Sequence, residues 1–121
     1  MSVPSGRRFV RATLSQWGLD RMKDRVELVA SELITNALLH AASPAQLRIE
    51  KLPDRVRLEL GDESESLPQL TKPNHDATSG RGVFLIDTVT SCWGITPTDT
   101  GKTIWCDFLY ADDPTDVNQH A

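Results

Sequence analysis

The sequence lacks any apolar run approaching the roughly 18 residues that a membrane-spanning helix needs, so no membrane span is expected. Cysteine is scarce, with only Cys92 and Cys106. Their separation fits neither a metal-ligand spacing nor a disulfide framework. An excess of positive charge is missing too: 13 Lys and Arg against 17 Asp and Glu leave a formal net charge of -4. That balance gives no general attraction to nucleic acid or to an anionic membrane. The basic pair Arg7-Arg8 is not followed by the apolar core of a signal peptide, so a cytoplasmic location is expected. Internal repeats and Pro-, Gly- or Ser-rich linkers are absent, and 121 residues suit one domain with a modest core. The domain is expected to span residues 1–121, with its core over about 7–110 and a polar tail from Ala111 to Ala121.

Apolar spacing outlines the elements. Phe9, Val10, Ala12, Leu14 and Trp17 predict a short helix over about 6–17, ended near Gly18. Asp20 can cap a longer helix reaching about Ala42, closed by Ser43-Pro44. Leu47 and Ile49, then Val56, Leu58 and Leu60, alternate with charged residues around Pro53-Asp54. That alternation predicts an antiparallel hairpin with one buried face. The stretch from Gly61 to Gly82 has no clear period, and so long a loop in a compact domain is usually functional or disordered. A helix from about Gly82 to Ser91 and two strands, Trp93–Thr96 and Lys102–Leu109, complete the chain. The order α-α-β-β-loop-α-β-β predicts an α+β, two-layer sandwich: a mainly antiparallel mixed sheet with helices on one face.

Four places could carry chemistry. Glu32 and Asn36 lie one turn apart, about 40° round the second helix, between Leu28 and Leu39 on one side and Val29 and Leu33 on the other. Burying a charge there is costly unless water or a ligand reaches it. Asn36 could offer an oxygen to a hard cation such as Mg²⁺, and Glu32 could take a proton from a hydroxyl or water. The alternative is a polar groove edge open to solvent. Asp62, at the end of the hairpin's second strand, could accept a hydrogen bond from an exocyclic amine such as that of adenine, or simply make a turn. Ser79-Gly80-Arg81-Gly82 precedes a helix, where backbone N–H groups favour phosphate, although a flexible hinge would look the same. Arg81 is open either to a phosphate or to solvent. Gly101-Lys102-Thr103 lacks the glycine spacing of a P-loop and opens a strand, so it reads as a turn glycine followed by a strand.

In their order these places resemble the nucleotide-binding motifs of the GHKL ATPase superfamily, which has the Bergerat fold. Within it the chain most resembles the small anti-sigma-factor serine/threonine kinases and their actinomycete relatives. The resemblance runs from about Arg7 to Tyr110 and is carried by Ser31-Glu32-Leu33-Ile34-Thr35-Asn36-Ala37 with His40-Ala41, by Gly80-Arg81-Gly82-Val83 with Trp93-Gly94, and by Gly101-Lys102-Thr103-Ile104-Trp105. It implies ATP and Mg²⁺ as the ligands. Glu32 then matches the general base, Asn36 the Mg²⁺ ligand and His40 a position near the phosphates. Asp62 matches the adenine-reading aspartate, and Gly80 to Val83 match the segment lining the phosphates behind a lid over Glu63–Ser79. Thr103 matches a hydroxyl supporting the adenine end. One departure stands out: the family's usual Asp-x-Gly-x-Gly is here Asp62-Glu63-Ser64-Glu65-Ser66.

The resemblance implies a protein serine/threonine kinase that phosphorylates an anti-anti-sigma protein, binds a sigma factor and regulates transcription by partner switching. Family members often form homodimers through the first helix, whose Arg7, Arg8 and Arg11 read first as a solvated basic face and second as a contact for acidic groups. No direct contact with nucleic acid is implied. The serines at 64 and 66 motivate the alternative, a binding-only pseudo-kinase that acts as an anti-sigma factor or scaffold.

Overall fold

The computed structural model describes residues 2–40, 45–62 and 86–112. The first helix, α1 (Val3–Gln16), starts earlier than the apolar spacing predicts because its cap lies at Ser2. The Ser2 hydroxyl accepts the Ser5 N–H at 3.1 Å, and Ser5 Oγ accepts the Ser2 N–H at 3.0 Å. Pro4 sits in the first turn, where a missing N–H costs nothing. At the other end Gly18 takes φ +73°, a left-handed conformation that glycine adopts without strain. Two backbone bonds then close the helix, Gly18 N to Ser15 O at 3.0 Å and Leu19 N to Leu14 O at 2.8 Å. They turn the chain so that Leu19 enters the core.

The second helix was expected from Asp20, but a tight 3-10 turn, Asp20–Met22, comes first, and α2 runs Lys23–His40. Its buried residues Val26, Val29, Ala30, Leu33, Ile34 and Ala37 recur at the spacing of one helical face. Glu27, on the side facing α1, accepts Arg7 at 3.1 Å and Arg11 at 3.0 Å, and Arg11 also reaches Asp24 at 3.2 Å. Two of the three arginines on the basic face are therefore engaged within the chain, fastening α1 to α2.

Four strands follow: β1 (Ala45–Lys51), β2 (Arg55–Asp62), β3 (Cys92–Pro97) and β4 (Lys102–Leu109). Their order is β1-β2-β4-β3, and every described pairing is antiparallel. Val56, Leu58 and Leu60 of β2 and Ile104, Cys106 and Phe108 of β4 point to one face, are 0–1 % exposed, and share a core with the helices. Ahead of β3 lies a helical turn, residues 86–89, with Ile86 in that core. Arg25 of α2 ties this turn down by donating to the Val89 carbonyl at 3.1 Å. The chain is thus an α+β structure with an open antiparallel sheet and helices on one face. Among the described residues, no helix is long and apolar enough to cross a membrane.

The opposite face of the sheet is not the bare polar surface that alternation suggests. Asp107 is 1 % exposed there, clasped by Arg57, whose Nε and Nη2 donate at 2.7 and 2.9 Å, and by Arg55 Nη1 at 2.8 Å. The Arg57 hydrogen bonds hold its carboxyl below the usual carboxylate range against the cost of burial, and Arg55 adds to the effect. Arg57 also stacks over the Trp105 ring, 5.1 Å from the centroid. Trp105 in turn covers Gly94 so closely that a Cβ there would lie 2.5 Å from ring carbon Cζ2.

Candidate functional site

Strand β2 runs two residues past the Leu60 at which alternation alone would end it, because β4 pairs with it throughout. Asp62 is therefore part of the ladder, opposite Lys102 and Ala45, and not a turn residue. Successive side chains on a strand point to opposite faces, so Asp62 follows Val56, Leu58 and Leu60 onto the helix-covered face. Lys102 shares that face with Ile104, Cys106 and Phe108. The result is a buried ion pair: Lys102 Nζ lies 3.0 Å from Asp62 Oδ1, and the two side chains are 8 % and 3 % exposed. Two charges out of water hold together only as a pair, so removing one partner from such a bridge is strongly destabilising.

A cavity of about 430 Å³ opens at this end of the sheet. Its wall takes Gln46 from β1, Asp62 from β2, Lys102 and Thr103 from β4, and Thr98 and Thr100 from the turn between β3 and β4. That volume lies within the range of small-molecule sites, roughly 300–1,000 Å³. The turn is fixed by Thr98, whose N–H donates to the Gly101 carbonyl at 2.9 Å and whose Oγ1 accepts the Gly101 N–H at 3.0 Å. Thr103 lies on the other face of β4 from Lys102, and a Cβ at Gly61 would sit 3.6 Å from its Oγ1. Its hydroxyl therefore rests against the β2 backbone beside Asp62.

Glu32 and Asn36 sit on α2, each half-buried, at the margin between Val29 and Leu33, which are sealed in the core, and Leu28 and Leu39, which are 40 % and 68 % exposed. Both side chains are thus partly open to solvent. The C-terminus of α2 and the start of β1 are five residues apart, a reach of at most about 18 Å. Because Ala45 pairs with Asp62, the last turns of α2 and the Asp62 end of the sheet belong to the same end of the molecule. Neither Glu32 nor Asn36 belongs to the described wall of the 430 Å³ cavity. His40 closes α2, and its side chain lies outside the described residues, as do Gly80, Arg81, Gly82, Val83 and the segment Glu63–Ser79.

Sequence reasoning gave Lys102 no role, having read Gly101-Lys102-Thr103 as a turn glycine followed by a strand. The signal was present: counting back by twos from Phe108 through Cys106 and Ile104 places Lys102 on the buried face, where a lysine needs a carboxylate. Among the described residues, no group of three or more His, Cys, Asp or Glu could hold a metal ion. A divalent cation near Asn36 would accordingly depend on oxygens from a ligand, which is the usual situation for Mg²⁺ beside phosphates.

An open antiparallel sheet with helices on one face is the architecture of a GHKL-type ATPase domain. The comparisons agree: the model of the family described as histidine kinase-like ATPase domain matches residues 2–108, and the chain belongs to that family. Among solved structures, it is similar to the histidine kinase domain of the blue-light activated histidine kinase from Erythrobacter litoralis EL346, with 25% identity, a TM-score of 0.60, and coverage of 79% of this chain and 48% of that one. A second structure of the Erythrobacter litoralis EL346 blue-light activated histidine kinase matches with 25% identity, a TM-score of 0.61, and coverage of 79% and 33%. The chain thus spans about half or less of the length of these relatives. No curated protein matches it. Membership of a histidine kinase-like ATPase domain family supports ATP binding.

Proposed function

We propose that the chain is an ATP-dependent protein serine/threonine kinase of the partner-switching kind, acting in the cytoplasm on an anti-anti-sigma protein and binding a sigma factor. What supports this reading is the match to the histidine kinase-like ATPase domain family over residues 2–108, with Glu32 and Asn36 half-buried on α2 and Asp62 buried at the end of β2. Asp62 accepts a hydrogen bond from the adenine amine, with the Thr103 hydroxyl supporting the base end. Asn36 would help hold Mg²⁺ beside the phosphates, where the ion would supply charge neutralisation. His40 and the Gly80–Val83 segment, Arg81 included, attend the phosphates. Glu32 takes the proton of the acceptor serine hydroxyl as the bond from that oxygen to the γ-phosphorus forms and the bond to the departing ADP oxygen breaks. Incubation with Mg²⁺, γ-labelled ATP and candidate anti-anti-sigma proteins tests the reading. Label on a partner serine, lost in Glu32→Gln, is the expected result, and no transfer to any partner would overturn it.

One observation favours a second reading, a binding-only regulator. Lys102 already engages Asp62 Oδ1 at 3.0 Å, and Ser64 and Ser66 stand where the family has glycine. Under that reading partner binding persists while Mg²⁺-dependent ATP binding is undetectable by calorimetry.

A further inference from the structure

The two edges of the sheet differ. β3 carries Gly94 and ends on Pro97, which has no N–H to offer a neighbour. β1 contains neither glycine nor proline. It pairs with β2 without a bulge from Ala45↔Asp62 to Lys51↔Val56. It also stands first in the strand order, so its outer edge has no neighbour among the described residues. A straight edge of seven residues is a template for pairing with another strand unless something blunts it.

Two side chains on this strand set the terms of such a pairing. Arg48 and Glu50 are exposed on the open face of the sheet, either side of Ile49, and neither forms an ion pair among the described residues. Arg57 and Asp107 on the same face are by contrast paired with each other. On the helix side, Leu47 and the α1 residues Ser5, Gly6 and Phe9 border a cavity of about 230 Å³, where Phe9 is 47 % exposed.

The strand complements itself. We propose that β1 pairs antiparallel with β1 of a second copy about a two-fold axis at Ile49, joining two four-stranded sheets edge to edge. Opposite residues must share a face, so the axis has to pass through a residue. An axis at Arg48 or at Glu50 sets that charge against its own copy. An axis at Leu47 leaves Glu50 with nothing opposite it in the strand. The axis at Ile49 sets Arg48 opposite the partner's Glu50 and Glu50 opposite the partner's Arg48, close enough for opposite charges to attract. The partner's Lys51 then falls opposite Leu47, its apolar stem beside the Phe9 cavity. This contact differs from the first-helix dimer that the family resemblance implies, because Arg7 and Arg11 are engaged with Glu27 inside the chain. It does not depend on whether the chain binds ATP.

Sedimentation velocity of the full chain over a range of concentrations tests this, with a concentration-dependent dimer as the expected result. Arg48→Glu and Glu50→Arg each turn two attractions into two repulsions and should weaken the dimer by at least about tenfold. The double variant Arg48→Glu/Glu50→Arg restores both pairs and should return to within about threefold of the unaltered chain. An equimolar mixture of the two single variants should form a mixed dimer, since each supplies the charges that the other lacks. Both positions are exposed, and far-UV circular dichroism checks that the variants fold. A monomer at every concentration would overturn the inference. So would a dimer that neither single variant weakens, or one that Arg8→Glu weakens in their place. Failure of both the double variant and the mixture to restore association would do the same.

Discussion

Gly94→Ala should destabilise the fold although it adds a single methyl group. The new Cβ would lie 2.5 Å from Trp105 Cζ2, 2.8 Å from Cε2 and 3.0 Å from Nε1, distances at which something must move. Backbone motion is resisted because β3 and β4 are paired from Cys92↔Asp107 to Pro97↔Lys102. The ring is the softer element, but it lies under the Arg57 guanidinium, which also holds Asp107. Swinging the ring out forfeits a cation–π contact worth about 0.5–1 kcal/mol and exposes indole surface. Overpacking typically costs about 1–3 kcal/mol, and that bracket is the expected loss. For a domain of this length it corresponds to a fall in Tm of about 3–15 °C. Urea unfolding followed by far-UV circular dichroism measures the cost, because the three tryptophans complicate a fluorescence signal. A double-mutant cycle with Trp105→Leu isolates its origin. In the leucine background the Gly94→Ala cost should fall by more than half. A cost below about 0.5 kcal/mol, or one unchanged in the leucine background, would refute the contact as the cause.

Asp107→Asn should cost about 1–3 kcal/mol at neutral pH, less than a sealed bridge would, because Arg55 and Arg57 are 28 % and 35 % exposed and can rehydrate. Its carboxyl titrates below its unfolded value of about 3.9, so its stabilisation is complete above that pH and is lost as pH falls through the lower folded value. The gap between wild type and Asp107→Asn in urea titrations should therefore be constant from pH 7 to 5 and shrink below pH 4. Burial pushes the Cys106 thiol up to about 12, while Cys92 is exposed. A thiol reagent at pH 8 should accordingly modify one cysteine in the native protein and the second only after denaturant is added. Asn36→Ala should leave the melting temperature within a few degrees, since the side chain is only half-buried, and should abolish the Mg²⁺ dependence of ATP binding seen by calorimetry.

Much of the architecture was legible because periodicity reports burial directly. The hairpin of β1 and β2, the α2 core face and β4 all follow from apolar spacing. The start of α1 was missed because Ser2 and Ser5 cap it without any apolar signal. The end of β2 was missed because Gly61 and Asp62 have poor strand character and are held by their partners Thr103 and Lys102. At the site, spacing placed Glu32 and Asn36 at the edge of the α2 core face, since a helix converts sequence separation into angle. The Asp62–Lys102 pair was harder to see, since the two residues lie forty positions apart and meet only through the strand order. Asp107 falls between Cys106 and Phe108 on β4 and was not singled out from the sequence. There Arg55 and Arg57 clasp it, which alternation cannot foretell.

The clasp around Asp107 bears on how this chain tolerates insertions and deletions. Sliding β4 by one position would turn Asp107 into the apolar layer, bring Cys106 out under the two arginines and remove Lys102 from Asp62. Each of those exchanges strands a charge, so length changes in the turn at residues 98–101 should be absorbed by the loop and not by the strand. The loop carrying Thr98 and Thr100 is then free to vary in length, and with it the shape of the cavity mouth, while the Asp62–Lys102 pair stays where it is.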